Sequence, residues 1–180
     1  MDESLISRRY AKAFLRYARK MRASKAVYEK MKLFQENYMS YPDLRKALLN
    51  PVLSPRDKEL LLSTSIGIDP EEAYMRAIRL LIKNHREKYL KTISLIYQRL
   101  YRETYGIAYV KVITATELTD ELVGEIEEAV RQKVQGRSTE YEYIVDPSII
   151  GGFILKTETR QYDASVKREL EMIGKKLLEN

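Results

Sequence analysis

Cysteine is absent from the 180-residue chain, which excludes disulfides, thiolate metal sites and cysteine nucleophiles and fits a reducing compartment. A single histidine, His85, leaves no multi-histidine metal centre. Long apolar runs are missing as well: stretches such as Leu60 to Leu62 and Leu80 to Ile82 fall far short of the ~20 residues that a membrane-spanning helix needs. No P-loop, G-x-G-x-x-G, G-x-S-x-G or H-E-x-x-H pattern occurs, so nucleotide, serine-hydrolase and zinc chemistry have no visible site. We therefore expect no catalytic residue, no metal and no cofactor. The N-terminus lacks the apolar segment of a secretory signal, and although its arginine-rich amphipathic pattern imitates an organellar transit peptide, Asp2, Glu3 and the early aromatics argue against one.

What is present is enough for a real core, since 44% of the residues are hydrophobic. Charge is unevenly placed. Residues 1–105 carry 22 basic and 12 acidic side chains, a balance of +10, whereas residues 106–180 carry 10 and 14, a balance of −4. The sign change suggests separate partners for two parts, with the basic part preferring something acidic: nucleic acid, anionic lipid or an acidic protein segment.

The expected fold is mainly α with a small α+β part, an N-terminal six-helix bundle over residues 1–105 followed by a β-α-β-β-α domain over residues 106–180. Up to Tyr105 the apolar period is helical, punctuated by Pro42, Asn50-Pro51, Ser54-Pro55 and Gly67 to Pro70. It predicts helices over Glu3–Met21, Lys25–Tyr38, Pro42–Leu49, Pro55–Ser63, Pro70–Asn84 and Arg86–Thr104. Beyond Gly106 the alternation of Ile107 to Thr114 reads as a strand. A helix follows, capped by Thr119, with Leu122, Ile126, Ala129 and Val130 as its apolar face. Glu140–Val145 and Gly151–Thr157 read as strands around the turn Asp146-Pro147-Ser148. Gly151-Gly152, set among apolar neighbours, implies a close backbone approach. A last helix is expected from Asp163 to Leu178, with Asp163 as its cap and Ser165 available to the first free amides.

Two helices carry more apolar surface than one core requires. On a helical wheel the first gathers Arg8, Arg9, Lys12, Arg16, Arg19 and Lys20 in a sector ~120° wide, leaving ~200° to residues including Tyr10, Ala13, Phe14 and Tyr17. The fifth behaves alike, with Ala77, Ile78, Leu80, Leu81 and Ile82 within an arc of ~220°. Either both helices touch neighbours on two sides, or Tyr10, Ala13, Phe14, Tyr17, Ala77, Ile78, Leu81 and Ile82 line a groove for an amphipathic helix of another protein, whose basic rim selects an acidic guest. In the last helix Val166, Leu170, Ile173 and Leu177 form a stripe suited to its own sheet or to a long partner helix. The 14 tyrosines interleaved with basic residues also admit a basic RNA-binding or ribosome-associated adaptor. Most of those tyrosines fall at core-facing helical positions, however, and no GxxG loop or RNP-like strand occurs.

One run of residues resembles a known family. Val145-Asp146-Pro147-Ser148-Ile149-Ile150-Gly151-Gly152-Phe153, followed by Asp163-Ala164-Ser165-Val166 and Leu170, is similar to the D-P-x-I/L-I-G-G and D-x-S-V/I-x-x-x-L elements of the delta (oligomycin-sensitivity-conferring) subunits of F-type ATP synthases. Arg9-Tyr10-Ala11-Lys12-Ala13, Asn50-Pro51 with Lys58, and Asn84-His85-Arg86 resemble further pieces of the same family in the same order. Two positions depart from it: the hairpin tip Thr157-Glu158-Thr159-Arg160 has no Gly or Asn, and Ala164 stands where Gly is as frequent. The resemblance implies a non-catalytic connector that is not a homo-oligomer and binds no nucleic acid. Its helical half would bind the N-terminal segments of alpha subunits and its C-terminal half the end of subunit b, so that proton-driven rotation is coupled to ATP synthesis. It further implies a peripheral membrane protein on the cytoplasmic face of the bacterial plasma membrane, with Asp146, Pro147, Gly151, Gly152, Asp163 and Ser165 as structural motif residues.

Overall fold

Prolines and left-handed residues set the helix boundaries of the first part. The computed structural model describes residues 3–67, 71–134 and 138–178, and the chain divides into two compact units, Met1–Thr104 and Tyr105–Asn180. The first contains α1 (Glu3–Lys20), α2 (Ser24–Ser40), α3 (Pro42–Leu49), α4 (Pro55–Thr64), α5 (Glu72–Lys83), a 3-10 turn (Glu87–Tyr89) and all but the last residue of α6 (Leu90–Tyr105). Pro42 and Pro55 open α3 and α4, where the missing N–H costs nothing. Ser54 caps α4, its Oγ accepting from the Asp57 amide at 3.2 Å. Two helix ends share one device. At α1 the Ala23 amide donates to the Ala18 carbonyl (2.9 Å) around Arg22, and at α5 the Arg86 amide donates to the Leu81 carbonyl (2.9 Å) around His85. Arg22 and His85 take positive φ values of 57° and 52°, the left-handed C-terminal position that glycine usually fills. His85 is thus a helix terminator.

Helix α5 lies at the centre of this unit, packed by α1, α2, α4 and the 3-10 turn. Also buried in this unit are Met31 and Phe34 of α2, Leu48 of α3, Leu62 of α4 and Leu90, Ile93 and Tyr97 of α6. Polar groups inside are tied to backbone: the Tyr97 hydroxyl donates to the Ser24 carbonyl at 3.2 Å and the Gln98 amide to the Met31 carbonyl at 3.3 Å. Tyr28 and Tyr101 stack at 4.3 Å. The expected sixth helix begins later than its sequence pattern suggests because Glu87 is drawn into a buried ion pair with Lys58, which leaves Glu87–Tyr89 as a tighter turn. The expected start of the fifth helix at Pro70 lies outside the described residues.

The second unit runs β1 (Ala108–Thr114), α7 (Asp120–Val134), β2 (Thr139–Val145), a 3-10 turn (Pro147–Ile149), β3 (Gly152–Thr157), β4 (Gln161–Ser165) and α8 (Val166–Leu178). Sheet order is β2-β1-β3-β4, with β1–β2 parallel and the other pairs antiparallel. Two expectations are corrected here. Residues 161–165 form a fourth strand, so residues 163–165 are not the first turn of the last helix, because β3 presents a free edge and Ile154 pairs in register with Asp163; α8 starts at Val166. The strands on either side of Asp146-Pro147-Ser148 are also not neighbours, since β1 lies between them. The hairpin tip closes without glycine. Thr157 Oγ1 accepts from the Arg160 amide at 3.0 Å while the Thr157 amide donates to the Arg160 carbonyl at 2.8 Å.

Alternation along β1 divides the core between two faces. Val110 and Val112 pack with Val130 of α7 and half-buried Ile126, Tyr141 and Leu155, while Ile113 packs with Ile149 and Ile154 on the other side. The face α7 buries is rotated from the one expected: Leu122 and Ala129 are exposed, and Val123 is half-buried instead. Gly152, at φ +71°, brings β3 so close to β4 that an added Cβ would stand 2.1 Å from the Ala164 carbonyl oxygen. Ala164 itself does not take a positive φ, so alanine there is unstrained. At Gly151 an added Cβ would meet the Val166 Cγ2 at 3.0 Å.

The Gly152→Ala substitution is therefore expected to cost about 3 kcal/mol or more, because backbone on both sides must move. Gly151→Ala, which meets only a side chain, is expected to cost ~1 kcal/mol. Urea unfolding followed by circular dichroism ranks the two.

Candidate functional surfaces

Two side-chain bridges hold α1 against α5. Tyr10 Oη accepts from Asn84 Nδ2 at 3.2 Å, and Tyr17 Oη accepts from Arg76 at 2.9 Å. Since rising numbers on α1 meet falling numbers on α5, the helices are antiparallel, and this register sets Ala13 opposite Leu80. Arg86 and Arg76 also stand 5.6 and 5.7 Å from the Tyr10 and Tyr17 ring centres. Ala13 is exposed and its two tyrosines are half-buried, so the outer face of the seam is a shallow apolar saddle, low at Ala13 and raised by Tyr10, Tyr17 and Leu80.

The open slot expected from the sequence is not what these helices form. Ala77, Ile78, Leu81 and Ile82 are buried together with Phe14, since the surplus apolar arc of α5 is used by four neighbouring elements of its own unit. These five side chains do not face solvent. Leu80, outside the expected site residues although within the apolar arc, is 44% exposed. The signal for it lay in the row Arg76, Leu80, Asn84, spaced i, i+4, i+8. Around the rim Arg8, Arg9, Lys12, Arg16, Arg19 and Lys20 are all exposed. Arg79, by contrast, is held by Glu59 and Glu72 at 2.6 and 2.8 Å. Arg76 is pushed further above its already high pKa, chiefly by the Tyr17 hydroxyl it binds.

Helix α8 presents the second surface. Val166, Leu170, Ile173 and Leu177 are exposed, Leu170 to 54% and Leu177 to 74%, so the stripe is displayed and not docked on the sheet. Ile150 and Tyr162, both 61% exposed, extend the apolar area of this unit and were not marked by periodicity because they lie outside the helix. Tyr28, Tyr74, Tyr97 and Tyr101 are buried, which removes four of the rings that a base-stacking surface requires.

The motif residues build the start of α8 and the turn before β3. Asp146 Oδ1 accepts from the Ser148 amide at 3.0 Å, with Pro147 opening the 3-10 turn. Asp163 does not cap the helix as expected. Its Oδ1 accepts from the Ser165 amide (3.0 Å) and hydroxyl (2.7 Å), and Ser165 Oγ in turn accepts from the Arg168 amide at 3.3 Å. Ser165 is the cap and Asp163 orients it, because β4 extends through residue 165. Hydrogen bonds from Ser148 hold the Asp146 carboxyl below the ordinary carboxylate range, and those from Ser165 do the same for Asp163.

Folding thus favours both ionised carboxylates. Their contribution is complete above the ordinary carboxylate pKa and is lost as pH falls through the depressed folded value. Asp163→Asn should flatten the acid limb of stability, read by urea unfolding between about pH 6 and about pH 3. Ser165→Ala should cost ~1 kcal/mol across that range.

Residues 6–177 match the family model described as ATP synthase delta (OSCP) subunit. The protein named ATP synthase subunit delta in Parabacteroides distasonis is 36% identical over 180 residues, covering 100% of this chain and 99% of the relative. Its namesake in Bacteroides thetaiotaomicron is 33% identical over 181 residues, covering 99% and 97%. A chain in the cryo-EM structure of the Toxoplasma gondii mitochondrial ATP synthase hexamer has a similar fold, with TM-score 0.75 at 19% identity over 96% of this chain and 97% of that one.

Proposed function

The chain belongs to the ATP synthase delta (OSCP) subunit family, and on that premise we propose that it is a non-catalytic stator subunit joining the catalytic head of a rotary ATP synthase to its peripheral stalk. The observation that carries this reading is that each of the two units displays its own apolar surface, the α1–α5 saddle on a basic unit and the α8 stripe on an acidic one. A connector needs two such faces, one for each of the parts it joins.

The saddle takes the amphipathic N-terminal helix of an alpha subunit. Tyr10, Tyr17 and Leu80 flank it, Ala13 lets the guest backbone approach, and Phe14, Ala77, Ile78, Leu81 and Ile82 give a rigid backing. The exposed arginines and lysines of α1 select an acidic guest and accelerate its capture. The α8 stripe, Val166, Leu170, Ile173 and Leu177, takes the C-terminal helix of subunit b. Torque from the rotating shaft pulls on both contacts, so affinity must come from a few tightly packed apolar anchors within a charged rim. No described helix is long and apolar enough to cross a membrane, and the chain sits peripherally on the cytoplasmic face of the bacterial plasma membrane through its partners.

Calorimetry with the full chain, an alpha N-terminal peptide and a C-terminal fragment of subunit b tests the assignment. Ala13→Asp should weaken the alpha peptide about ten-fold or more and leave subunit b unaffected, and Leu170→Asp should do the reverse. Both positions are exposed, so both variants should fold. Ile78→Asp is no test, because Ile78 is fully buried and a carboxylate there unfolds the unit. If each variant leaves its own partner's affinity unchanged, the surfaces are wrongly assigned.

A further inference from the structure

The two outer strands of the sheet treat their open edges differently. In β4 the Thr157 amide donates to the Arg160 carbonyl and the Val166 amide to the Gly151 carbonyl, so even-numbered residues bond to β3 and Gln161, Asp163 and Ser165 turn their backbone away from it. Side chains close that edge: Asp163 Oδ1 accepts from the Ser165 amide at 3.0 Å, and the Asp163 carbonyl accepts from Arg168 at 3.4 Å. In β2 the Ala108 amide donates to the Ser138 carbonyl and the Asp146 amide to the Thr114 carbonyl, both at 2.8 Å. Even-numbered residues therefore face β1, and the backbone of Thr139, Tyr141, Tyr143 and Val145 points to the open side. Among the described residues, nothing bonds to the outward N–H and C=O of Tyr141, Tyr143 or Val145. Strand β2 contains no proline or lysine and its register is unbroken, so the usual devices that blunt an edge are missing.

Side chains on the two faces of β2 define what can pair there. Tyr141 and Tyr143 lie in register with Val110 and Val112, on the side of α7. Their hydroxyls donate to the Glu127 carbonyl at 3.2 Å and the Glu127 carboxylate at 2.9 Å. Held in this way the rings stand 6.1 Å apart, and with Tyr143 40% and Val145 48% exposed they form a preset apolar shelf beside the open edge. Glu140 and Glu142 occupy the other face, in register with Tyr109 and Lys111. Lys111 approaches Glu142 from the β1 side at 3.2 Å, an arrangement that a lysine arriving from the open side would repeat. A second copy of the chain is a poor match. Antiparallel pairing of two β2 edges joins odd-numbered residues to odd-numbered ones. Centred on Glu142 it sets Glu142 against its own copy, centred on Tyr141 it sets Glu140 against Glu142, and centred on Tyr143 it sets Glu140 against Asp146. Like charges directly opposite destabilise a strand pair, whereas opposite charges support it.

We propose that the open edge of β2 is a strand-addition site for an extended segment of a partner protein, paired antiparallel, with β-branched side chains over Tyr141, Tyr143 and Val145 and lysine or arginine opposite Glu140 and Glu142. Antiparallel pairing is the more stable per residue, and its hydrogen-bonded pairs set the β-branched residues directly opposite the tyrosines. The edge lies across the sheet from β4 and α8, so the site does not rest on the stator assignment.

The test uses the full chain and the peptide acetyl-Lys-Val-Lys-Val-Lys-Val-Lys-amide, read by amide NMR shifts and hydrogen exchange. Saturable shifts are expected across residues 139–145, with exchange of the Tyr141, Tyr143 and Val145 amides slowed about ten-fold or more. N-methylation of the valines, whose N–H groups face β2, should weaken binding about ten-fold or more, and N-methylation of the lysines, whose N–H groups face solvent, should leave it unchanged. Tyr143→Pro removes an outward donor without touching the bonds to β1 and should weaken the peptide about ten-fold. Glu140→Gln, milder for the fold, should weaken it about three-fold. Equal losses from the two methylated forms, unchanged exchange of the three amides, or an unaffected Glu140→Gln variant would each overturn the proposal. So would the block isomer acetyl-Lys-Lys-Lys-Lys-Val-Val-Val-amide binding as tightly as the alternating peptide. Slowed exchange of those amides in a concentrated sample of the chain alone would overturn the choice of a foreign strand.

Discussion

Enclosure of α5 is the constraint on which the rest of the helical unit depends. Seven of its twelve residues are buried, and α1, α2, α4 and the 3-10 turn all lean on it. A helix in that position can lend a partner little surface of its own. It offers Leu80 and the polar row on either side of it, and it fixes α1 through Asn84 and Arg76. The proposed docking face therefore belongs mainly to α1, with α5 as its rigid bed. Close-packed interiors resist deformation, which suits a part that holds against torque.

The second unit is built on a strand. β1 is paired on both sides and feeds both apolar clusters, but they are small, and α8 contributes almost nothing to them. This thirteen-residue helix begins at a well-made cap and then runs with its side chains in solvent. Isolated helices of this length are marginal in water, so a partner covering the stripe also stabilises the helix by mass action. The two units thus differ in kind: one has a finished interior with a shallow outer saddle, the other leaves part of its potential core uncovered.

Much of this was legible from residue order alone. Helical periodicity and the prolines located the six helices of the first unit to within a few residues, because Pro42 and Pro55 act locally and their neighbours do not override them. β1 was readable from its β-branched residues, whereas β4 was not: Gln161-Tyr162-Asp163-Ala164-Ser165 has no apolar alternation, and only the free edge of β3 makes it a strand. Asp163 resembled a cap because caps and strand ends use the same side chains. Surplus apolar arc on α5 was real, but a wheel cannot say whether neighbours of the same chain or a foreign helix will consume it. The buried ion pair of Lys58 and Glu87 was invisible for a similar reason, since nothing in sequence brings residue 58 to residue 87.

Strand order also bears on how this chain leaves the ribosome. β1 emerges first in its unit but is central, and both strands that flank it follow by some 25 residues or more. During that interval Ala108-Tyr109-Val110-Lys111-Val112-Ile113-Thr114 is a nascent segment with two bare edges, of the composition that self-associates. Lys111 interrupts it. In the finished sheet its ammonium lies 3.2 Å from Glu142 of β2, directly across the register. Before β2 exists the same charge has no counterpart there, and a charge within an apolar strand is the kind of residue that opposes its pairing with a second copy.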